Sequence, residues 1–444
     1  MIQDSRFKAQ GSGFLAAFSR PTAGDSARLL LIFYASSLFF KNTATLQAAL
    51  LLSASILIFW DHRKNWRSTW TETRWVLGPL LVFSLWILLT SPFWREPPMN
   101  SWDPNSWDMR QPWFSLNLWK RDLAQPMLAM CCGYWAFRDD PWRRRIFTGL
   151  AFVLAALLVK CLIQYYAGEV ADLGRSVSPE NPIVKGTLWV RGFSRDNNAF
   201  SYILVLLTPA ILWLVFYRPR GWRGWLAFAA ALVLLYLLFI NKRRGAWLAV
   251  YIELFILAFF MGRRQLAIFL IGTLIMTAAA YQVRPQWFVR DYDANATSEF
   301  EKNSSRDLIF KNVTPLIRQH PWVGVGYGKD TVVKNYWHKI YQHTHNAYLN
   351  VLLASGIPGL LIWLAALGTY AWRFWRHRAL DWTARIGLAF LIGFYVRNLT
   401  DDIWTASLAE LFWFLAGVLI PSRPQNEVEP SPRMQALRLK PDSV

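Results

Sequence analysis

The apolar residues of this chain come in runs of roughly 20, the length that crosses a bilayer as a helix, and they recur from one end of the chain to the other. A water-soluble core of this size does not need a dozen such runs. Twelve spans are expected, near 28–40, 44–60, 75–94, 122–138, 146–167, 197–217, 222–240, 245–261, 265–283, 347–372, 384–399 and 403–420. The fold class is therefore all-α, a polytopic membrane protein. A long outer loop joins spans 9 and 10. The expected divisions are an N-terminal cytoplasmic segment 1–27, transmembrane helices 1–9 over 28–283, a periplasmic loop with short helices over 284–345, helices 10–12 over 346–420, and a disordered cytoplasmic tail 421–444. The 26 Trp fit the same class, because indole rings gather at membrane–water interfaces.

Orientation follows from Lys and Arg in short loops. With the N-terminus inside, "DHRKNWRSTWTETR", "RDDPWRRR", "RPRGWR", "GRR" and "RFWRHRALDWTAR" all face the cytoplasm. The net charge of +20 is spread over such loops. That distribution points to phospholipid or phosphate-bearing substrates as partners and away from nucleic acid. Cys131, Cys132 and Cys161 lie in apolar segments and form neither a disulfide framework nor a zinc-type pair. No metal or other cofactor is expected.

One short basic loop falls on the wrong side. "NKRRG", with Lys242, Arg243 and Arg244, lies outside, where three consecutive cations oppose the usual bias. Cations kept there are candidates for holding an anion. Three more outer segments carry polar groups beside helix starts. "WVRGFSRDNNAFS" offers Arg191 and Arg195, with Asn197 or Asn198 as a helix cap. "NSSRDLIFKNVTPLIRQHPWVGVGYG" predicts a helix from Ser304 or Ser305, with Ile309, Val313, Leu316 and Ile317 as its apolar stripe and Arg306 at its positive end. Pro315 counts against that helix, and "GVGYG" reads as a turn, since it lacks the strand and the Lys-Ser/Thr of a nucleotide loop. "HTHNAYLNVLLASGIPGLL" sets His343 and His345 two apart, so in an extended loop they would point the same way. Asn346 is placed to cap the helix that follows. Asp401 and Asp402 are expected either to orient a histidine or to pair with Arg397 at the surface. Arginine forks suit phosphate oxygens, and a neutral histidine can take a proton from a hydroxyl. The combination suggests group transfer from a lipid phosphate to a hydroxyl acceptor. A lipid-linked glycan transporter is the rival of a different class; Lys160 and Glu253 are the clearest charges inside spans for it.

His345-Asn346 followed by Gly356-Ile357-Pro358-Gly359 resembles the signature of bacterial O-antigen ligases and their relatives, the O-antigen polymerases and O-linked oligosaccharyltransferases. "RGFSRDNNA", "NKRRGAW" and "SSRDLIF…HPWVGVGYG" resemble three further segments of that superfamily, in the same order, over roughly residues 185–365. The resemblance implies an undecaprenyl-pyrophosphate-linked glycan as donor and, for a ligase, a sugar of lipid A–core as acceptor. Transfer is then expected on the periplasmic face of the inner membrane, inverting and without a metal. By the same match His345 becomes the candidate base, with His343 as the alternate. Arg191 and Arg306 join it as candidate catalytic residues. Arg195, Lys242, Arg243, Arg244, His343 and Asn346 are the candidate substrate-binding residues.

Overall fold

A computed structural model describes residues 22–40, 43–90, 116, 119–166, 193, 197–216, 221–241, 243–283, 305–326, 344–379, 381–400 and 406–421. Among them there are helices and turns and no strand. The helices are α1 (Ala23–Ser37), α2 (Ala44–His62), α3 (Trp66–Thr90), α4 (Gln125–Phe137), α5 (Asp140–Tyr166), α6 (Asn197–Phe216), α7 (Trp222–Asn241), α8 (Arg244–Met261), α9 (Arg263–Val283), α10 (Ser305–Gln319), α11 (Ala347–His377), α12 (Trp382–Thr400) and α13 (Ala406–Leu419). A π-helical turn, Lys120–Ala124, leads into α4. Each of the twelve expected spans coincides with a helix over its described residues. Among the described residues, seven helices are long and apolar enough to cross a membrane: 44–62, 73–90, 140–164, 198–216, 224–241, 244–261 and 347–377. The first helix starts at Ala23, earlier than the expected 28, because Thr22 caps it by accepting from the Asp25 amide.

The exterior confirms the solvent these helices are built for. Leu89, Phe152, Trp225, Leu274 and Met276 are all largely exposed. Apolar side chains spread over the outside of a bundle suit hydrocarbon and not water. Inside, α13 lies along α4 and α12 along α8. Phe394 of α12 stacks on Phe412 of α13 with ring centroids 3.6 Å apart. The Tyr34 hydroxyl donates to Glu410 Oε2 at 2.6 Å.

Hydrogen bonds sort the helix ends into two sets. Arg28 donates to the Ala136 carbonyl (3.0 Å), Arg143 to the Val418 carbonyl (3.1 Å), Trp213 to Thr383 Oγ1 (3.2 Å) and Trp135 to Thr73 Oγ1 (2.9 Å). Phe216 stacks on Trp382, and Phe260 lies beside Trp375. The five short basic loops expected inside therefore all join helix ends at this one end of the bundle. At the other end Trp119 donates to Ser84 Oγ (2.7 Å), and the starts of α6, α8 and α11 meet the end of α12. The turn carrying Arg243, Arg244 and Gly245 belongs to this second end, away from the basic loops.

Candidate functional site

The segment before α11 is a tight knot. Thr344 is buried, and its hydroxyl lies 2.5 Å from Asn350 Oδ1 and 2.7 Å from the Asn346 carbonyl. Next to this anchor His345 takes a left-handed backbone conformation, φ +53°, uncommon for a residue with a side chain. Such conformations persist where the surroundings enforce them and cluster at functional sites. The extended geometry expected for "HTH" does not hold at His345, because the buried Thr344 hydroxyl bonds to the backbone on its far side and curls the chain. His343 lies outside the described residues. Asn346 caps α11 as its side chain predicted: Oδ1 accepts from the Leu349 amide at 3.0 Å. Its Nδ2 donates to the Leu399 carbonyl at 3.3 Å, which ties the start of α11 to the end of α12.

Arg397 organises the other side of that junction. It is 3% exposed. Its Nη2 donates to Asn198 Oδ1 (2.7 Å) and Ser201 Oγ (2.9 Å), and Nη1 to Thr400 Oγ1 (2.8 Å). Its guanidinium sits 4.0 Å over the Tyr202 ring. Its burial corrects the expected surface position; Asp401 and Asp402, its expected partners, lie outside the described residues. Burial in the bundle favours partners that come from neighbouring helices. Asn198 is likewise taken up by Arg397 and does not act as a simple cap. Gly245 completes the junction: a Cβ there would lie 2.5 Å from Thr400 Oγ1 and 3.0 Å from Arg397 Nη1, so only glycine lets the start of α8 approach α12 this closely. Arg243 occupies the N-cap position of α8 with extended backbone and is half-buried, while Arg244 is exposed.

The third element is a break in α11. Gly356 stands at φ 73°, ψ −178°, and Pro358 has no amide hydrogen. The freed groups find new partners. Val325 N–H donates to the Leu353 carbonyl (2.8 Å) and Gly326 N–H to the Ala354 carbonyl (3.2 Å). Trp86 Nε1 donates to the Ser355 carbonyl (3.0 Å), and Ile357 N–H to the Pro321 carbonyl (2.8 Å). The chain turns over 320–326, so the turn expected at "GVGYG" is present in its described part, Gly324–Gly326, and it clasps the broken helix backbone to backbone. A Cβ on Gly324 would lie 2.5 Å from the Ala354 carbonyl carbon, and one on Gly356 would collide with the Trp322 carbonyl. It is this turn whose close approach requires Gly356. Gly359 makes room for the Ser355 side chain and the Trp86 ring of α3.

The clasp also positions α10. That helix runs through Pro315, contrary to the doubt the proline raises. Val313 is fully buried against Leu353, with Leu316, Ile317, Val325 and Leu349 around it. Tertiary packing of this stripe on α11 outweighs the single backbone hydrogen bond that proline removes. Arg306 lies in the first turn of α10, at its positive end. Arg191, Arg195 and Lys242 lie outside the described residues. The structure therefore joins His345, Asn346, Arg243 and Arg244 at one end of the bundle. Sequence reasoning undervalued Arg397; an arginine one turn inside an apolar span was the signal. Among the described residues, no three His, Cys, Asp or Glu stand together as metal ligands.

Comparison with known proteins bears on the same stretch. Residues 229–364 match the family model described as O-antigen ligase. The interval contains the 243–245 turn, α10, the clasp, His345, Asn346 and the break in α11. A protein of Rickettsia felis provisionally named a polysaccharide ligase is 26% identical over 209 residues, 43% of this chain and 48% of the relative. A protein of Rickettsia conorii with the same provisional name is 27% identical over 207 residues, with the same coverage. The match thus spans about half the length of these relatives.

Proposed function

We propose, from the match of residues 229–364 to the O-antigen ligase family model, that this membrane protein transfers a glycan from undecaprenyl pyrophosphate to a sugar hydroxyl of lipid A–core. The reaction is placed on the periplasmic face of the inner membrane. The observation that carries this reading is the convergence at one end of the bundle of the His345 knot, the 243–245 turn and the buried Arg397 junction.

In the proposed step the acceptor oxygen attacks the anomeric carbon. The bond from that carbon to the pyrophosphate oxygen breaks, and its electron pair leaves on the pyrophosphate. The hydroxyl proton passes to the His345 imidazole. A single displacement inverts the anomeric centre. Charge grows on the phosphate oxygens as they leave, and preorganised arginines stabilise it where it develops. Arg191, Arg244 and Arg306 are assigned to that clamp, with Arg195, Lys242 and Arg243 beside them. The left-handed backbone at His345, held beside the Thr344–Asn350 anchor, supports its role, since such conformations cluster at functional sites. Arg397 is a positioning residue in this scheme: it holds the starts of α6 and α8 against α12.

Purified protein given a lipid-linked glycan and, in parallel, lipid A–core, a second lipid-linked glycan or a protein acceptor tests the reading. A glycan–lipid A–core product is expected. Product only with the second lipid-linked glycan would make the protein a polymerase, and product only with protein would make it an oligosaccharyltransferase. Absence of any covalent product would overturn the enzymatic reading.

A further inference from the structure

Far from the candidate site, at the basic end of the bundle, α8, α11 and α12 border an open apolar crevice of about 600 Å³. Phe255, Phe259, Phe260, Trp372, Trp375 and Ile392 line it, and Gly368 leaves its wall open. Its side chains offer an intruding molecule hydrocarbon and aromatic rings and almost nothing else. Directly at its end stands Arg378, whose guanidinium lies 3.6 Å over the ring of the lining Trp375. Arg385 donates to the Arg378 carbonyl at 2.6 Å and lies 4.4 Å over the Trp382 ring. Arg376 precedes them on α11, and Arg263 and Arg264 follow the end of α8 across Gly262. None of these five arginines has a carboxylate partner among the described residues.

We infer that this crevice is a binding site for an anionic phospholipid, with an acyl chain between α8, α11 and α12 and the headgroup phosphate on Arg378 and Arg385. Two features select this occupant. The volume is that of a pocket for one drug-sized apolar molecule, which suits a single chain. The arginines without a carboxylate partner among the described residues sit at the end where the helices stop, the depth of a headgroup. Stacking on interfacial tryptophans holds the guanidinium planes; Arg378 Nη1 donates to the Trp375 carbonyl at 2.6 Å and Arg385 Nη2 to the Ala379 carbonyl at 3.5 Å, which leaves Arg378 Nε and Nη2 and Arg385 Nη1 for phosphate oxygens. A zwitterionic lipid satisfies the chain but offers the arginines no net charge. The crevice is at the opposite end of the helices from His345, so the inference does not depend on the proposed reaction.

Photolabelling tests it. Full-length protein is placed in vesicles containing trace phosphatidylglycerol or phosphatidylcholine, each with a diazirine on the acyl chain, and adducts are mapped by peptide mass spectrometry. Adducts on 255–260 and 372–375 are expected to favour phosphatidylglycerol by roughly fivefold for each engaged arginine, the factor for one basic side chain beside an anionic surface. Arg378→Gln with Arg385→Gln should bring the two lipids level. Gly368→Leu should remove labelling by both, and it tests the crevice separately: a Cβ at 368 meets nothing within 4 Å, and leucine favours a helix. Equal labelling of the wild type by both lipids would overturn the inference, as would labelling that survives Gly368→Leu. Displacement by inorganic phosphate would make this a free-anion site, and displacement by undecaprenyl phosphate would assign it to the isoprenoid chain; either result also refutes it.

Discussion

Gly356→Ala should open the clasp between the 320–326 turn and α11. The glycine's φ of 73° with ψ near 180° belongs to a region open essentially to glycine alone, and forcing alanine into it costs on the order of 1–3 kcal/mol. The new Cβ would also collide with the Trp322 carbonyl. Backbone cannot yield as a flexible side chain does, so the turn must move away. Moving it breaks the bonds from Val325, Gly326 and Ile357, each worth about 1 kcal/mol. Together the loss is about 4–6 kcal/mol. At about 1.4 kcal/mol per tenfold, local opening should become at least hundredfold more frequent. Hydrogen–deuterium exchange on the detergent-solubilised protein reads this directly. Peptides covering 320–326 and 351–358 should lose protection, while those of α4 and α13 keep theirs. Gly272→Ala is the control, because a Cβ there meets nothing within 4 Å. Wild-type protection at Val325 and Ile357 in the Gly356→Ala protein would refute the clasp.

His345→Ala should lower glycan transfer by about 10²–10⁴-fold, the usual worth of a general base, with donor affinity retained; loss of donor binding instead would move His345 among the binding residues. Arg397→Gln should lower the thermal midpoint by several degrees and slow transfer, because Asn198 and Ser201 lose a charged donor and such bonds are worth about 1.5–3 kcal/mol each; an unchanged midpoint in a scanning-fluorimetry melt would show that the junction is not structural. For orientation, an impermeant thiol reagent added outside should modify Asn303→Cys and spare Asn65→Cys, and the reverse pattern would invert the assigned topology.

The twelve apolar segments were legible because a bilayer imposes a length and a composition on each helix separately. A helix satisfies its backbone hydrogen bonds within itself, so no knowledge of neighbours is needed to find it. Local rules also predicted the Asn346 cap and a turn beginning at Gly324, since capping and turn formation involve residues close in sequence. What those rules do not contain is which helix ends meet. Arg397 is the clearest instance. In sequence its nearest carboxylates are Asp401 and Asp402. In the fold it is buried against Asn198 and Ser201, about 200 residues away, and beside Gly245. The glycines of "GIPG" show the same division. The sequence marks a place where the chain needs glycine, but only the packed structure reveals that Gly356 is required by the Trp322 carbonyl. Pro315 is the converse case, a local penalty overridden when Val313 found Leu353. Sequence alone determined the membrane class, the helices and the residue types of the site. Tertiary packing decided their convergence, because contacts between segments far apart in the chain depend on shape, burial and exchanged hydrogen bonds that no single segment encodes.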